Sequence, residues 1–256
     1  SPMINIVGDH ASYHLKHNAP LTSDLDGLAK SSSDWVKRVS SPEQITQCAN
    51  DAWKAANQAP GNIATLIVPA DYAWSDIGSD LPKKVELNNR KPVDNKLIEA
   101  AYKLLLKPNS MLYLGGKFLD EECLKFAAQI ATKTGCRLVT DTFVSRIRRG
   151  AGLPIVQQVP YFSEMAEDFL QGTESIVFIG TKPPVSFFAY PDKKSFLSPD
   201  EAELFELCSV EENGYEALAL LSELSGSPKI ANELIRPHIS DVPTSGDLDV
   251  TTLGPL

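Results

Sequence analysis

The chain has 256 residues, 24 Lys and Arg against 33 Asp and Glu for a net charge of −9, and 43% hydrophobic residues. That length suggests one large domain or two modest ones. The acidic balance argues against non-specific nucleic-acid binding, and no apolar run approaches the roughly 18 residues that cross a membrane. No charged-then-apolar leader opens the chain.

The charge is unevenly placed. Residues 1–95 carry 9 basic and 11 acidic side chains, 96–149 carry 10 and 5, and 150–256 carry 5 and 17. Cys48, Cys123, Cys136 and Cys208 form no C-x-x-C pair. They read as buried, reduced thiols of a cytoplasmic protein rather than as a zinc or redox site.

Met3-Ile4-Asn5-Ile6-Val7, stopped by Gly8-Asp9, predicts a buried strand. A polar, histidine-rich stretch follows to Lys30. Ser41-Pro42-Glu43-Gln44 predicts a helix start with a Ser cap. Ile45, Cys48, Ala49, Ala52, Trp53 and Ala56 then supply one apolar face up to Pro60-Gly61. Ala64–Val68 is the next strand. Residues 79–93 are polar and aperiodic, a linker between two domains.

A second alternation starts at Asp94, a helix cap, with Leu97, Ile98, Ala101 and Leu105 inward. Strands are expected at 111–114, 137–141, 175–180 and 205–208. Helices are expected at 119–135, 161–170, 200–204 and 214–224, the last with Leu218, Leu221 and Leu224 inward. Strands alternating with amphipathic helices predict an α/β fold, parallel sheets flanked by helices. Residues 226–256 read as a connector or surface strap.

His10, His14 and His17 cluster behind the first strand. Loops at the carboxyl ends of parallel strands are where α/β proteins place substrate contacts. The cluster therefore reads either as substrate-side histidines or as structural hydrogen bonding. A metal site, with Asp9 or Asp24 adding oxygen, is the weaker reading because the segment shows no helix to converge the ligands. Gly115-Gly116 and Gly180-Thr181 end two strands and Asp141 a third, a pattern that fits a phosphate crevice and tight turns equally. Arg146, Arg148 and Arg149 can hold an anion, though pairing with acidic side chains is preferred.

Gly8-Asp9-His10-Ala11-Ser12-Tyr13-His14, Ala19-Pro20-Leu21-Thr22-Ser23-Asp24, Ala64–Asp71 and Pro183–Pro191 resemble, in order, the acetolactate synthase-like enzymes that depend on thiamine diphosphate. The resemblance implies that residues 3–78 are the second half of a pyrimidine-binding domain. It makes 94–225 a Rossmann-like middle domain and 226–256 a connector towards a missing diphosphate-binding domain. It implies thiamine diphosphate and Mg2+ in the full-length enzyme, a 2-oxo acid substrate, decarboxylation or carboligation, and a homodimer or homotetramer. Of the histidines, His10 is carried over most directly and His14 is offset. FAD or ADP in the middle domain would use Gly115, Gly116, Gly180 and Thr181, although the short glycine run after Leu114 argues against FAD. No metal ligand is carried over, because neither Gly8-Asp9-His10 nor Gly246-Asp247-Leu248 supplies the family's magnesium motif. The expectation is an inactive fragment with an exposed strand edge at Ile4–Val7. The alternative is a non-catalytic nucleotide-binding or oligomerisation module.

Overall fold

A computed structural model describes residues 2–77, 85–189 and 191–237, and the chain divides into two units, Ser1–Arg90 and Lys91–Leu256. Residues 79–84 of the expected linker, Tyr190 of the fourth motif, Gly246–Leu248 and the connector from 238 onward lie outside the described residues.

The first unit runs β1 (Met3–Asp9), α1 (Leu25–Lys30), β2 (Trp35–Arg38), α2 (Ile45–Asn57), β3 (Ile63–Pro69) and α3 (Ala70–Trp74). Its three strands are parallel in the order β1-β3-β2. Ile63–Pro69 is buried along most of its length, as a central parallel strand should be. Cys48, Ala52 and Ala56 of α2 are the buried stripe, whereas Ala49 and Trp53 of the expected face are exposed. Pro42–Gln44 is a 3-10 turn, and the Ser41 hydroxyl does not cap it.

Three expectations need correction here. β1 is not buried: it is an edge strand, and Ile6 is 74% exposed. An apolar run alone does not say how many neighbours a strand has. The polar stretch contains α1, capped by Asp24, whose carboxylate accepts from Gly27 N at 2.9 Å. It is followed by β2, four residues between serine clusters.

The second unit runs α4 (Asn95–Leu105), β4 (Ser110–Leu114), α5 (Glu121–Thr134), β5 (Arg137–Thr140), β6 (Gln157–Gln158), α6 (Ser163–Leu170), β7 (Ser175–Ile179), β8 (Glu203–Cys208) and α7 (Gly214–Leu224). All five strands are parallel, ordered β6-β5-β4-β7-β8. Chain direction reverses its spatial progress between β4 and β7, which makes their carboxyl ends the switch point of a doubly wound sheet.

Alternation along the strands builds a core on each face. Leu112, Leu114, Val177 and Ile179 pack with Ile98, Ala127, Ile130 and Leu218 from α4, α5 and α7. Met111, Tyr113, Ile176 and Phe178 pack with Ala166 and Leu170 of α6. Asp94 caps α4 by accepting from Lys96 N, and Gly135 ends α5 in the left-handed region. The helix expected at 200–204 is absent; these residues turn directly into β8. Leu224 is exposed, off the stripe of Leu218, Leu221 and Ser222 that α7 buries. All four cysteines are buried thiols, none of them in a disulfide.

Candidate active site

The carboxyl ends of β1 and β3 frame a cavity of about 530 Å³, with His10, Tyr13, His14, Leu21, Leu25 and Trp74 among its lining residues. Both predicted catalytic histidines are therefore brought to one cavity. The rings of His10 and His14 lie 5.6 Å apart, centre to centre, and those of His14 and His17 lie 5.8 Å apart.

Local chemistry fixes this loop from both sides. The Asp9 carboxylate, at the end of β1, accepts from His10 N at 2.7 Å and pairs with Arg38 from the end of β2. Arg38 also pairs with Asp26 of α1. Burial works against the Arg38 charge, but its two carboxylates raise its pKa above the usual value. On the far side, Asp71 in the first turn of α3 accepts from both the N–H and the hydroxyl of Ser12, at 2.9 and 2.5 Å.

His10 Nε2 lies 3.2 Å from the Pro20 carbonyl. A carbonyl only accepts, so Nε2 is the donor in this contact, which leaves Nδ1 for another partner. Leu21 follows with φ 70° and 94% exposure. A left-handed, exposed leucine at a cavity rim is strained, and such strain concentrates at functional positions. Sequence reasoning quoted Leu21 within a motif but gave it no role.

The metal reading is not supported by these contacts. Asp9 is committed to Arg38 and Asp24 to the α1 cap. Among the described residues no group of three or more His, Cys, Asp or Glu is arranged to hold a metal ion.

In the second unit, Gly115, Gly116, Gly180 and Thr181 meet at the switch point, with Gly115 N donating to Ile179 O at 2.9 Å. They approach one another too closely to leave a cradle. A Cβ on Gly115 would sit 2.5 Å from Thr181 Cβ, and one on Gly180 (φ 64°) would sit 2.4 Å from Phe118 Cδ2. The helix that should offer N–H groups to a phosphate is already capped, since Asp120 accepts from Cys123 N and Glu121 and Glu122 fill its first turn. Three carboxylates there repel an anion. The corner does not fit the pyrophosphate of FAD or ADP.

Asp141, after β5, accepts from Tyr113 OH at 2.8 Å and Thr181 Oγ1 at 2.6 Å. Burial, helped by the Asp141 charge, raises the Tyr113 pKa and keeps the phenol a donor. Arg146, Arg148 and Arg149 make no ion pair within 4 Å among the described residues; Arg149 donates to Gln158 instead.

No protein-family model matches the chain. It is 38% identical over 226 residues to the acetolactate synthase large subunit-like protein IlvX of Mycobacterium tuberculosis, covering 87% of this chain. In sequence the chain is acetolactate synthase-like. The acetolactate synthase large subunit of Corynebacterium glutamicum is 24% identical over 251 residues. The chain spans 42% and 40% of the length of these two curated relatives.

In fold it is similar to the thiamine diphosphate-dependent 4-hydroxybenzoylformate decarboxylase of Rhodococcus jostii RHA1. The TM-score is 0.69 at 17% identity, over 97% of this chain and 50% of that one. Benzoylformate decarboxylase of Polynucleobacter necessarius gives a TM-score of 0.71 at 19% identity, over 99% and 50%.

Proposed function

We propose that this acetolactate synthase-like chain supplies the substrate-side histidines of an enzyme that decarboxylates 2-oxo acids, joins them to an acceptor, or does both. The observation that supports this reading most is the convergence of His10 and His14 on one cavity, in a loop tied down by Asp9 and Asp71. Protonated at Nδ1, His10 donates to the substrate's carbonyl oxygen, and it takes the proton back from the hydroxyl group that this oxygen becomes. His14 faces the substrate carboxylate, and Leu21, Leu25 and Trp74 supply the apolar side of the cavity.

Thiamine diphosphate and Mg2+ are held, in this proposal, by other segments of a homodimeric or homotetrameric cytoplasmic enzyme, and the isolated chain is inactive. Residues 3–78 serve as part of the pyrimidine-binding domain and 94–225 as the middle domain. The alternative of a nucleotide-binding module gains nothing from the acid-capped α5.

The test supplies the segments of the Mycobacterium tuberculosis relative that lie outside the matched region, together with thiamine diphosphate, Mg2+ and pyruvate. Carbon dioxide release should appear with those segments, be absent without them, and fall about 100-fold in His10→Ala. Release that ignores His10→Ala overturns the assignment.

A further inference from the structure

Beside the switch point, the second unit carries a cavity of about 210 Å³ whose lining includes Tyr113, Asp141, Thr142, Phe143, Tyr161 and Phe187. Its walls are built. Thr142 Oγ1 donates to Val159 O at 2.8 Å, Ser186 N to Ser195 O at 2.7 Å, and Leu197 N to Pro184 O at 3.1 Å. The rings of Phe143, Tyr161 and Phe187 stand 5.6–5.8 Å apart in a triangle, and Phe188 meets Phe187 edge-on at 4.6 Å. Phe143 is 66% and Phe187 61% exposed. This is more aromatic surface than a solvated face needs.

The polar side of this cavity is a carboxylate. Asp141 accepts from two hydroxyl groups, which orient it without neutralising it, and no described Lys, Arg or His forms an ion pair with it. Ring faces attract cations through their quadrupole, and an oriented carboxylate attracts them by charge.

We propose that this cavity binds a small organic ammonium ion, its charged nitrogen donating to Asp141 and its apolar body against Phe143, Tyr161 and Phe187. The site shares no lining residue with the histidine cavity and does not depend on the reading given to that cavity. Charge complementarity selects a cation over a nucleotide or a neutral aromatic molecule.

The probe is 2-phenylethylammonium, titrated at neutral pH by calorimetry and by amide shifts. Its uncharged counterpart 2-phenylethanol and adenosine monophosphate are the controls. The ammonium ion should bind about ten-fold more tightly than the alcohol, a margin of roughly 1.4 kcal/mol, and shift Asp141 and Phe187 amides. Asp141→Asn should abolish that preference, while Phe187→Leu, on the exposed rim, should weaken both ligands alike. Equal affinity for ammonium ion and alcohol, preference for adenosine monophosphate, or no binding overturns the proposal. So does self-association lost in Phe187→Leu, which would make this face an interface between copies.

Discussion

Asp71 holds Ser12 by two hydrogen bonds, from its backbone N–H at 2.9 Å and its hydroxyl at 2.5 Å, and so ties the histidine loop to the end of β3. Fifty-nine residues separate the two, so this is a tertiary clasp rather than a local turn. Burial acts to raise the Asp71 pKa, but the Ser12 bonds outweigh it and hold the carboxyl below its usual range.

Asp71→Ala should therefore free the loop without unfolding the sheet. Hydrogen exchange should show Ser12 losing protection while Leu66 and Ile67 keep theirs. His10 and His14 should lose their mutual ring contact by NMR. An unchanged Ser12 amide would mean that the loop is fixed by other contacts.

Arg38 bridges Asp9 and Asp26, and the Asp9 side chain is only 4% exposed. Arg38→Ala leaves a buried carboxylate without its cation, which should cost about 2–3 kcal/mol, less than a fully buried pair because the arginine is partly solvated. Urea unfolding measures this, and Arg38→Met with Asp9→Asn should recover most of the loss.

The thiols provide a pH test. Burial pushes Cys136 up to about 11 and raises Cys123 further. At neutral pH the native protein should expose no fast-reacting thiol, and all four should react in urea. Because the folded pKa of Cys136 exceeds its unfolded value, its contribution is complete below the unfolded pKa. It should be lost as pH rises from about 9 through about 11. Stability flat across that window would contradict the burial.

Gly180 is required by its positive φ and by Phe118. Gly180→Ala should cost about 2–4 kcal/mol, and pairing it with Phe118→Ala should return part of that. Thermal unfolding reads both. A neutral Gly180→Ala would mean that the switch-point corner is looser than its contacts indicate.

Much of the second unit was legible because its signals are redundant. Asp94 and Gly135 mark helix ends, and Met111–Leu114 and Ser175–Ile179 are uninterrupted apolar strands between amphipathic helices. The first unit was harder to read. Trp35–Arg38 has four residues and no alternation, and α1 contains Gly27 and is six residues long. The placement of His10 and His14 followed from the strand-end position. The Asp71–Ser12 clasp and the strained Leu21 did not, because long-range pairing and a left-handed leucine leave no local pattern. Asp120-Glu121-Glu122 in the sequence already argued against a phosphate on α5.

Pyruvate titration of the chain asks whether His10 and His14 face a 2-oxo acid. The imidazole resonances of both histidines should shift together, saturably, while Gly115 and Gly180 amides stay still, and Asp71→Ala should weaken the response. Histidine resonances indifferent to pyruvate, with shifts confined to the second unit, would contradict the account.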